Sequence, residues 1–402
     1  MTAPGSAPTP DTRLVGIDLA RFAAIVGMMS AHLIVPLADD PSASDLDAAV
    51  GAFLAATVSS TAATTFAVLG GVSLVLLTRR ITRTGRMLLT ITIRGILISL
   101  IGTLLLPIDG PISVVLTYYG IAMIIAGPAL LLPSWVVAGG AGLLWLFGAV
   151  VNLQVRGAGT PPPADLGAEI ARAARDLLIT GHYPAITWVA YMLTGILIAR
   201  MLLAARDDGR LRTASMHLGM GGLLVYLLLT IGGRIAVAAM VGVPEQLLRS
   251  GYGAPLGTEP WMLWIPTPHS GNPADMLRTV AGACFVIGIL VALVDGRARH
   301  PGIALESVRA AGAAPLTIYT THVVVTGALH HAALAAADGE GTPWYRRGAA
   351  IFLLQLAGVL LIGVVLALLH RRGPLETFIG WVSGAASPGG HVARPVLPER
   401  RR

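Results

Sequence analysis

Apolar runs of about twenty residues alternate along the chain with short breaks that hold most of its charge, proline and glycine. A helix of that length crosses the roughly 30 Å hydrocarbon core of a bilayer. The runs predict about ten spans, at residues 14–36, 49–78, 87–107, 112–132, 135–153, 184–204, 216–241, 277–294, 310–334 and 348–369. The second run is longer than a bilayer needs, and its polar centre, Ser59-Ser60-Thr61, predicts a bend there. After Pro161-Pro162-Pro163, Leu166, Ile170, Ala173 and Leu177 form one helical stripe and Asp165, Glu169, Arg172 and Asp176 another. That pattern describes a short helix lying on the outer membrane surface.

The predicted fold class is therefore all-α, a polytopic integral membrane protein. Residues 1–13 form a disordered N-terminus, 14–372 the membrane domain and 373–402 a mostly disordered cytoplasmic tail. Composition agrees: 54% of the 402 residues are apolar and 12% charged, against about 25% charged in a soluble domain. Counting Arg200, in the last turn of the sixth run, with the break that follows it, eighteen arginines fall in breaks on the side of the N-terminus and six in breaks on the other. Because cytoplasmic loops retain positive charge, both termini are expected in the cytoplasm and the chain in the plasma membrane. The net charge of +7 thus orients the protein, and no nucleic-acid partner is expected.

The chain has no lysine, which removes Schiff-base chemistry; with 48 glycines this suits a high-GC bacterial genome. Its single cysteine, Cys284, excludes an intrachain disulfide, a CxxC redox site and a Cys-rich zinc site. No metal site is expected from the spacing of the histidines. There is no P-loop, no nucleophile elbow and no strong internal repeat of the kind many transporters carry.

Arg21, Arg94, Arg234 and Arg278 lie within spans, where ionisable groups are costly and by default paired or functional. Arg278 follows Asp275 by three residues and suits a local pair. Arg234, in mid-span, is expected to line a cavity or meet an acid. Arg94, two turns into the third span, is close enough to the inner surface to extend a phosphate-binding patch or simply to snorkel. The first span is the most informative. Eleven residues separate Arg21 from His32, three turns plus about 20°, so the two share a helix face about 16 Å apart. That separation is comparable to an extended pantetheine arm. An arginine at the inner end suits the phosphates of acyl-CoA, and the histidine suits a general base. The plainer reading pairs Arg21 with Asp18 and leaves His32 as a hydrogen-bonder within the bundle.

The stretch Gly16-Ile17-Asp18-Leu19-Ala20-Arg21, followed by ten residues and His32, resembles the first-span signature of type 3 membrane acyltransferases in the transmembrane acyltransferase superfamily. The overlapping Arg80-Ile-Thr-Arg83 and Arg83-Thr-Gly-Arg86 resemble that family's Arg-x-x-Arg element. A second likeness, in His182-Tyr-Pro-Ala-Ile-Thr-Trp188 through Gly195 to Arg200 and in Phe66 to Ser73 with its Gly70-Gly71-Val-Ser73, is to relatives of heparan-alpha-glucosaminide N-acetyltransferase. The chain departs from that branch in having no histidine in the first outer loop, where that enzyme's catalytic histidine would fall.

The resemblance implies an acyl-CoA-dependent O- or N-acyltransferase. It would carry a short acyl group, most simply acetyl, from the cytoplasm to an envelope glycan or glycolipid. His32 and Arg21 are the catalytic candidates, with His32 as base or transient acyl carrier. Arg80, Arg83, Arg86 and Arg94 are the acyl-CoA-binding candidates. By their placement, and not by the resemblance, His182, His269 and His322 are candidates on the acceptor side, the plainer reading of each being a structural or interfacial hydrogen-bonder. Acyl-CoA is a donor substrate, and no tightly bound cofactor is expected. The bilayer is the medium, and an oligomer is compatible with the sequence. The alternative is a transporter or flippase for an anionic solute or lipid, with the same arginines as ligands.

Overall fold

The computed structural model describes residues 13–108, 110, 112–158, 165–239, 251, 253–255, 257, 259–295, 302–335 and 343–385. Among them there is no strand. The helices are α1 (Val15–Leu33), α2 (Asp45–Thr57), α3 (Ser59–Thr78), α4 (Thr84–Leu105), α5 (Leu116–Ala126), α6 (Ser134–Gly157) and α7 (Leu166–Arg175). They continue with α8 (Ala185–Asp207), α9 (Leu211–Ala239), α10 (Pro273–Val294), α11 (Ile303–Gly312), α12 (Pro315–Ala335), α13 (Ala349–Leu368) and α14 (Pro374–Ala385).

Eight helices are long and apolar enough to cross a membrane: α1, α3, α4, α6, α8, α9, α10 and α13. The chain is a multi-pass membrane protein. The other two expected spans are helical as well. The fourth is the shorter α5 with a 3-10 turn, Gly127–Leu131. The ninth is α12, 21 residues long, whose apolar character is diluted by His322, His330 and His331 and four threonines. The long second run breaks between α2 and α3 at Val58, next to the predicted bend. The amphipathic segment is α7, which buries none of its residues. Two short helices come from outside the expected spans: α11, and α14 in the stretch assigned to the tail. Residues 386–402 and the triple-proline break lie outside the described residues.

Helices α1, α3, α8 and α10 form the centre, with α3 the most enclosed and α9 the least. Two glycines explain how α3 and α8 come so close. A Cβ built on Gly71 would meet the Met192 carbonyl oxygen at 1.9 Å, and one on Gly195 the Val68 carbonyl oxygen at 1.9 Å. Small residues let membrane helices approach backbone to backbone, where dispersion rather than water expulsion holds them. Met29, Leu69, Met192 and Ile196 are fully buried around this contact.

At one end of the bundle, α1 begins against the end of α10. Asp295 accepts hydrogen bonds from the amides of Val15 (2.6 Å) and Gly16 (2.8 Å), two of the orphan donors of the helix start. One turn on, the carboxylate of Asp18, 3% exposed, accepts from Arg13 Nε at 2.7 Å and Arg21 Nη1 at 2.5 Å, with Arg309 Nη1 of α11 at 3.5 Å. Arg309 also pairs with Glu306. Three guanidiniums thus share two carboxylates. Removing one partner of a buried ion pair leaves uncompensated charge and costs about 3 kcal/mol or more. Asp18→Asn is expected to destabilise the protein by about that amount, whereas Asp295→Asn should cost about 1 kcal/mol, as the loss of a helix cap does. Thermal unfolding in detergent checks both values, and a near-silent Asp18→Asn would refute the role of the cluster.

Candidate functional site

Arg21 lies in this cluster and takes the local pair with Asp18, while its Nη2 donates to Ser73 Oγ of α3 at 3.0 Å. Its guanidinium and that of Arg94 are both within electrostatic range of the Tyr119 hydroxyl. Arg94 reaches α14, with Nη1 at 3.5 Å from Ser383 Oγ. Arg80 and Arg83 are exposed between α3 and α4, and Arg86 is half-buried in the first turn of α4. Ser73 is less than two helical turns from this connection. The candidate arginines therefore share one end of the bundle, called here the arginine end.

His32 lies at the opposite end, the histidine end. The stripe between it and Arg21 is filled: Ile25, Met28 and Met29 are buried. His32 is joined to α12, its Nδ1 lying 3.1 Å from Nε2 of His322, with the two ring planes nearly parallel. His322 Nδ1 is 2.6 Å from Gln355 Oε1 of α13. Gln355 Nε2 donates to Thr326 Oγ1 at 3.1 Å, which turns the amide oxygen toward the ring. An amide oxygen only accepts, so His322 carries its proton on Nδ1 and accepts at Nε2. His32 must then donate from Nδ1, which leaves the lone pair of its Nε2 free to act as a base. Hydrogen bonding within the bundle, the plainer reading of this histidine, is what the structure shows.

The other two candidates lie on loops at the same end. His182 and His269 line a small cavity of about 40 Å³ with Ser60, Tyr183, Tyr191 and Asp275. Tyr183 makes edge contacts with both histidines. His269 Nε2 is 3.3 Å from Ser59 Oγ, at the start of α3. The loop carrying His269 turns through left-handed backbone at His269 (φ 59°) and Gly271 (φ 66°). It ends where the Asn272 side chain accepts from the Asp275 amide at 2.8 Å, capping α10. Arg278 is buried against Asp275 at 3.0 Å, as its spacing predicts, and donates to Ser60 Oγ at 2.6 Å.

A comparison with known protein families matches residues 13–233 to the catalytic region of heparan-alpha-glucosaminide N-acetyltransferase. The chain belongs to that family. The match covers more than half of the chain and makes it a membrane acetyltransferase by family. No curated protein matches it.

The stretches that carry the likeness to the acetyltransferase each have a structural task. Gly71 and Gly195 set the contact of α3 with α8, and Gly70 leaves room for the Tyr119 hydroxyl, 2.6 Å from where its Cβ would be. Ser73 holds Arg21. Arg200 donates to the carbonyls of Ala129, Leu130 and Leu132, closing the turn after α5. His182, Tyr183, Pro184 and Trp188 wall the cavity.

Several functional positions had no sequence signal beyond residue type. Gln355 and Thr326 are isolated polar residues in apolar runs. Arg156, one more loop charge by sequence, donates from Nε to Asn152 Oδ1 at 2.8 Å and from Nη2 to the Thr180 carbonyl, holding the turn that presents His182. Asn152 Nδ2 ties the same turn to Gly253 at 3.0 Å. The expectation for Arg234 is not met: it is exposed on α9, and no ion pair forms with it among the described residues. Helix α9 packs mainly on α10 and leaves its other side open, so the helix position of Arg234 faces outward.

Burial, with Arg278 and His182 nearby, lowers the pKa of His269 from 6.5 to about 4, and burial lowers that of His182 as well. The folded protein then holds both rings neutral where the unfolded chain protonates them. Stability is expected to fall as the pH drops from about 6.5 toward 4, because the unfolded state takes up the extra protons. Melting temperature against pH checks this, and His269→Gln should flatten the slope across that window.

Proposed function

We propose that this family member transfers an acyl group, most simply acetyl, from acyl-CoA bound at the arginine end to a hydroxyl or amine presented at the histidine end. The arginine bias of the loops supports a cytoplasmic arginine end and an external histidine end, in the plasma membrane. The acceptor is an envelope glycan or glycolipid. The observation that carries the reading is the chain Gln355–His322–His32, which frees one imidazole nitrogen on the same helix as Arg21.

In this reaction His32 Nε2 takes the proton of the acceptor hydroxyl or amine as the acceptor atom bonds to the acyl carbon. The carbon–sulfur bond breaks, and the imidazolium returns the proton to the departing CoA thiolate. Arg21, with Arg80, Arg83, Arg86 and Arg94, holds the phosphates; the Asp18 cluster keeps Arg21 oriented and carries one net positive charge. The pantetheine arm would run along α1 by displacing Met28 and Met29, whose unbranched side chains adapt readily. His322 and Gln355 are positioning residues.

Purified protein in nanodiscs, given acyl-labelled CoA and a soluble sugar acceptor, tests the assignment. His32→Ala should lower transfer by about 10² to 10⁴ with donor binding retained, and Gln355→Leu should lower kcat at nearly constant KM. Arg21→Lys should weaken donor binding about tenfold, the worth of a charge-assisted hydrogen bond. Transfer that survives both His32→Ala and Arg21→Lys sinks the proposal. A transporter would show no CoA release that depends on His32.

A further inference from the structure

A second cavity, of about 320 Å³, lies within the membrane-spanning region between α1, α3, α9 and α10. It is lined by Gly27, Val58, Ala62, Tyr226, Gly282 and Phe285, among others. That is about twice the size of an engineered apolar cavity of roughly 150 Å³ that stays dry and binds benzene. Its wall is nearly all carbon. Of its four hydroxyl-bearing residues, Thr57, Thr65 and Tyr226 spend their hydroxyls on the carbonyls of Phe53, Thr61 and Thr57, and the buried Thr61 hydroxyl is the one without a partner among the described residues. Ala23, which also lines it, is exposed, so the cavity opens through the side of the bundle at the depth of the lipid tails.

Its two ends differ. One reaches Thr57 and Val58, where α2 breaks into α3, and the next residue, Ser59, touches His269 of the histidine-end cavity. From Gly27 to His32 is five residues, about 7.5 Å along α1. The other end stops at Ala23 and Ala24, and no arginine lines it. A phosphate head at the histidine end would find Arg278 already buried against Asp275 and Ser60. The shape therefore suits a hydrocarbon chain entering from the bilayer with a neutral, hydroxyl-bearing head beside the histidines.

We infer that this cavity binds the alkyl tail of a lipid-linked, uncharged acceptor. The acceptor would then be a glycolipid delivered sideways from the membrane, not a free sugar. This rests on the proposed transfer for its meaning, while binding of the chain is measurable without it.

The test uses full-length protein in phosphatidylcholine nanodiscs and an alkyl glucoside with a diazirine at the end of its chain. Crosslinks are expected on Ala62, Phe285 and Val286, and they should be lost in Ala23→Phe and in Val286→Phe, two substitutions at partly exposed positions that fill the space. His32→Ala should leave labelling intact, so a failed transfer assay and a failed binding site remain distinguishable. In activity assays KM should fall about tenfold or more from methyl to octyl glucoside as methylenes leave water, and Ala23→Phe should flatten that series. Labelling confined to the outward residues Leu224 and Leu228 of α9, or unchanged by both filling variants, overturns the inference. So does equal labelling by a phosphatidylcholine carrying the same diazirine, which would make the occupant bulk lipid.

Discussion

A carboxylate withdrawn from water has to be surrounded by donors, and Asp18 shows how much structure one such group imposes. It sits one turn into the helix that carries both Arg21 and His32, and its charge is met by guanidiniums from three places in the chain: Arg13 before α1, Arg21 within it and Arg309 on α11. The cost of desolvating the acid is offset only while these partners keep their geometry. The same demand brings α11 onto α1, where a Cβ on Gly312 would meet the Asp18 carbonyl oxygen at 1.9 Å. Arg21 then turns its Nη2 to Ser73, which ties α1 to α3. Position and rotation of α1 are both set at this end, and those two quantities decide where His32 points.

The second histidine-bearing helix is secured in the same way. The start of α12 is capped by Glu376 of α14, which accepts from the amides of Leu316 (2.7 Å) and Thr317 (3.1 Å) and from the Thr317 hydroxyl (2.6 Å). Asp295 does this for α1. Each carboxylate satisfies orphan amides at a positive helix end, where a negative charge is favoured. The helices that meet at His32 and His322 are thus both held at their N-terminal ends by acids distant in sequence. A hydrogen bond of 3.1 Å between two imidazoles tolerates little axial drift; the cap on α12 acts about one and a half turns from His322, and the cap on α1 acts from the far end of that helix.

What could be read from the sequence followed from period and charge. Runs of apolar residues placed the spans because a helix in lipid must satisfy its own backbone, and the polar Ser59-Ser60-Thr61 marked the break beside Val58. The spacing of Asp275 and Arg278 gave the local pair. Contacts between helices distant in sequence were not legible. Nothing about Gln355 in an apolar run shows that it will orient His322, and nothing about Glu376 in an apparent tail shows that it will cap α12. Helix α14 was missed because its weight comes from that cap and from packing on α4, both tertiary effects that outweigh the Gly- and Pro-rich flanks. For α12, composition blurred a helix whose polar positions are used for contacts within the bundle.

The two ends of α1 differ in a way that matters for vectorial chemistry. At the arginine end most of the buried charge is already paired, through Asp18 and Glu306. At the histidine end the imidazoles sit beside loops with left-handed turns and a cavity of about 40 Å³, so under the proposed transfer a sugar acceptor would have to be met by movement there. Loops that close over a site are drawn from the less stable parts of a structure, and the side chains of Asn152, Arg156 and Thr180 take part in holding the turn before His182. Between the ends, Met28 and Met29 close the stripe with side chains that lose little when they shift rotamer. A donor arm pushing past them and an acceptor loosening the loops would each open half of a path that the resting structure keeps shut. That division would keep the acyl thioester from water until both substrates are present.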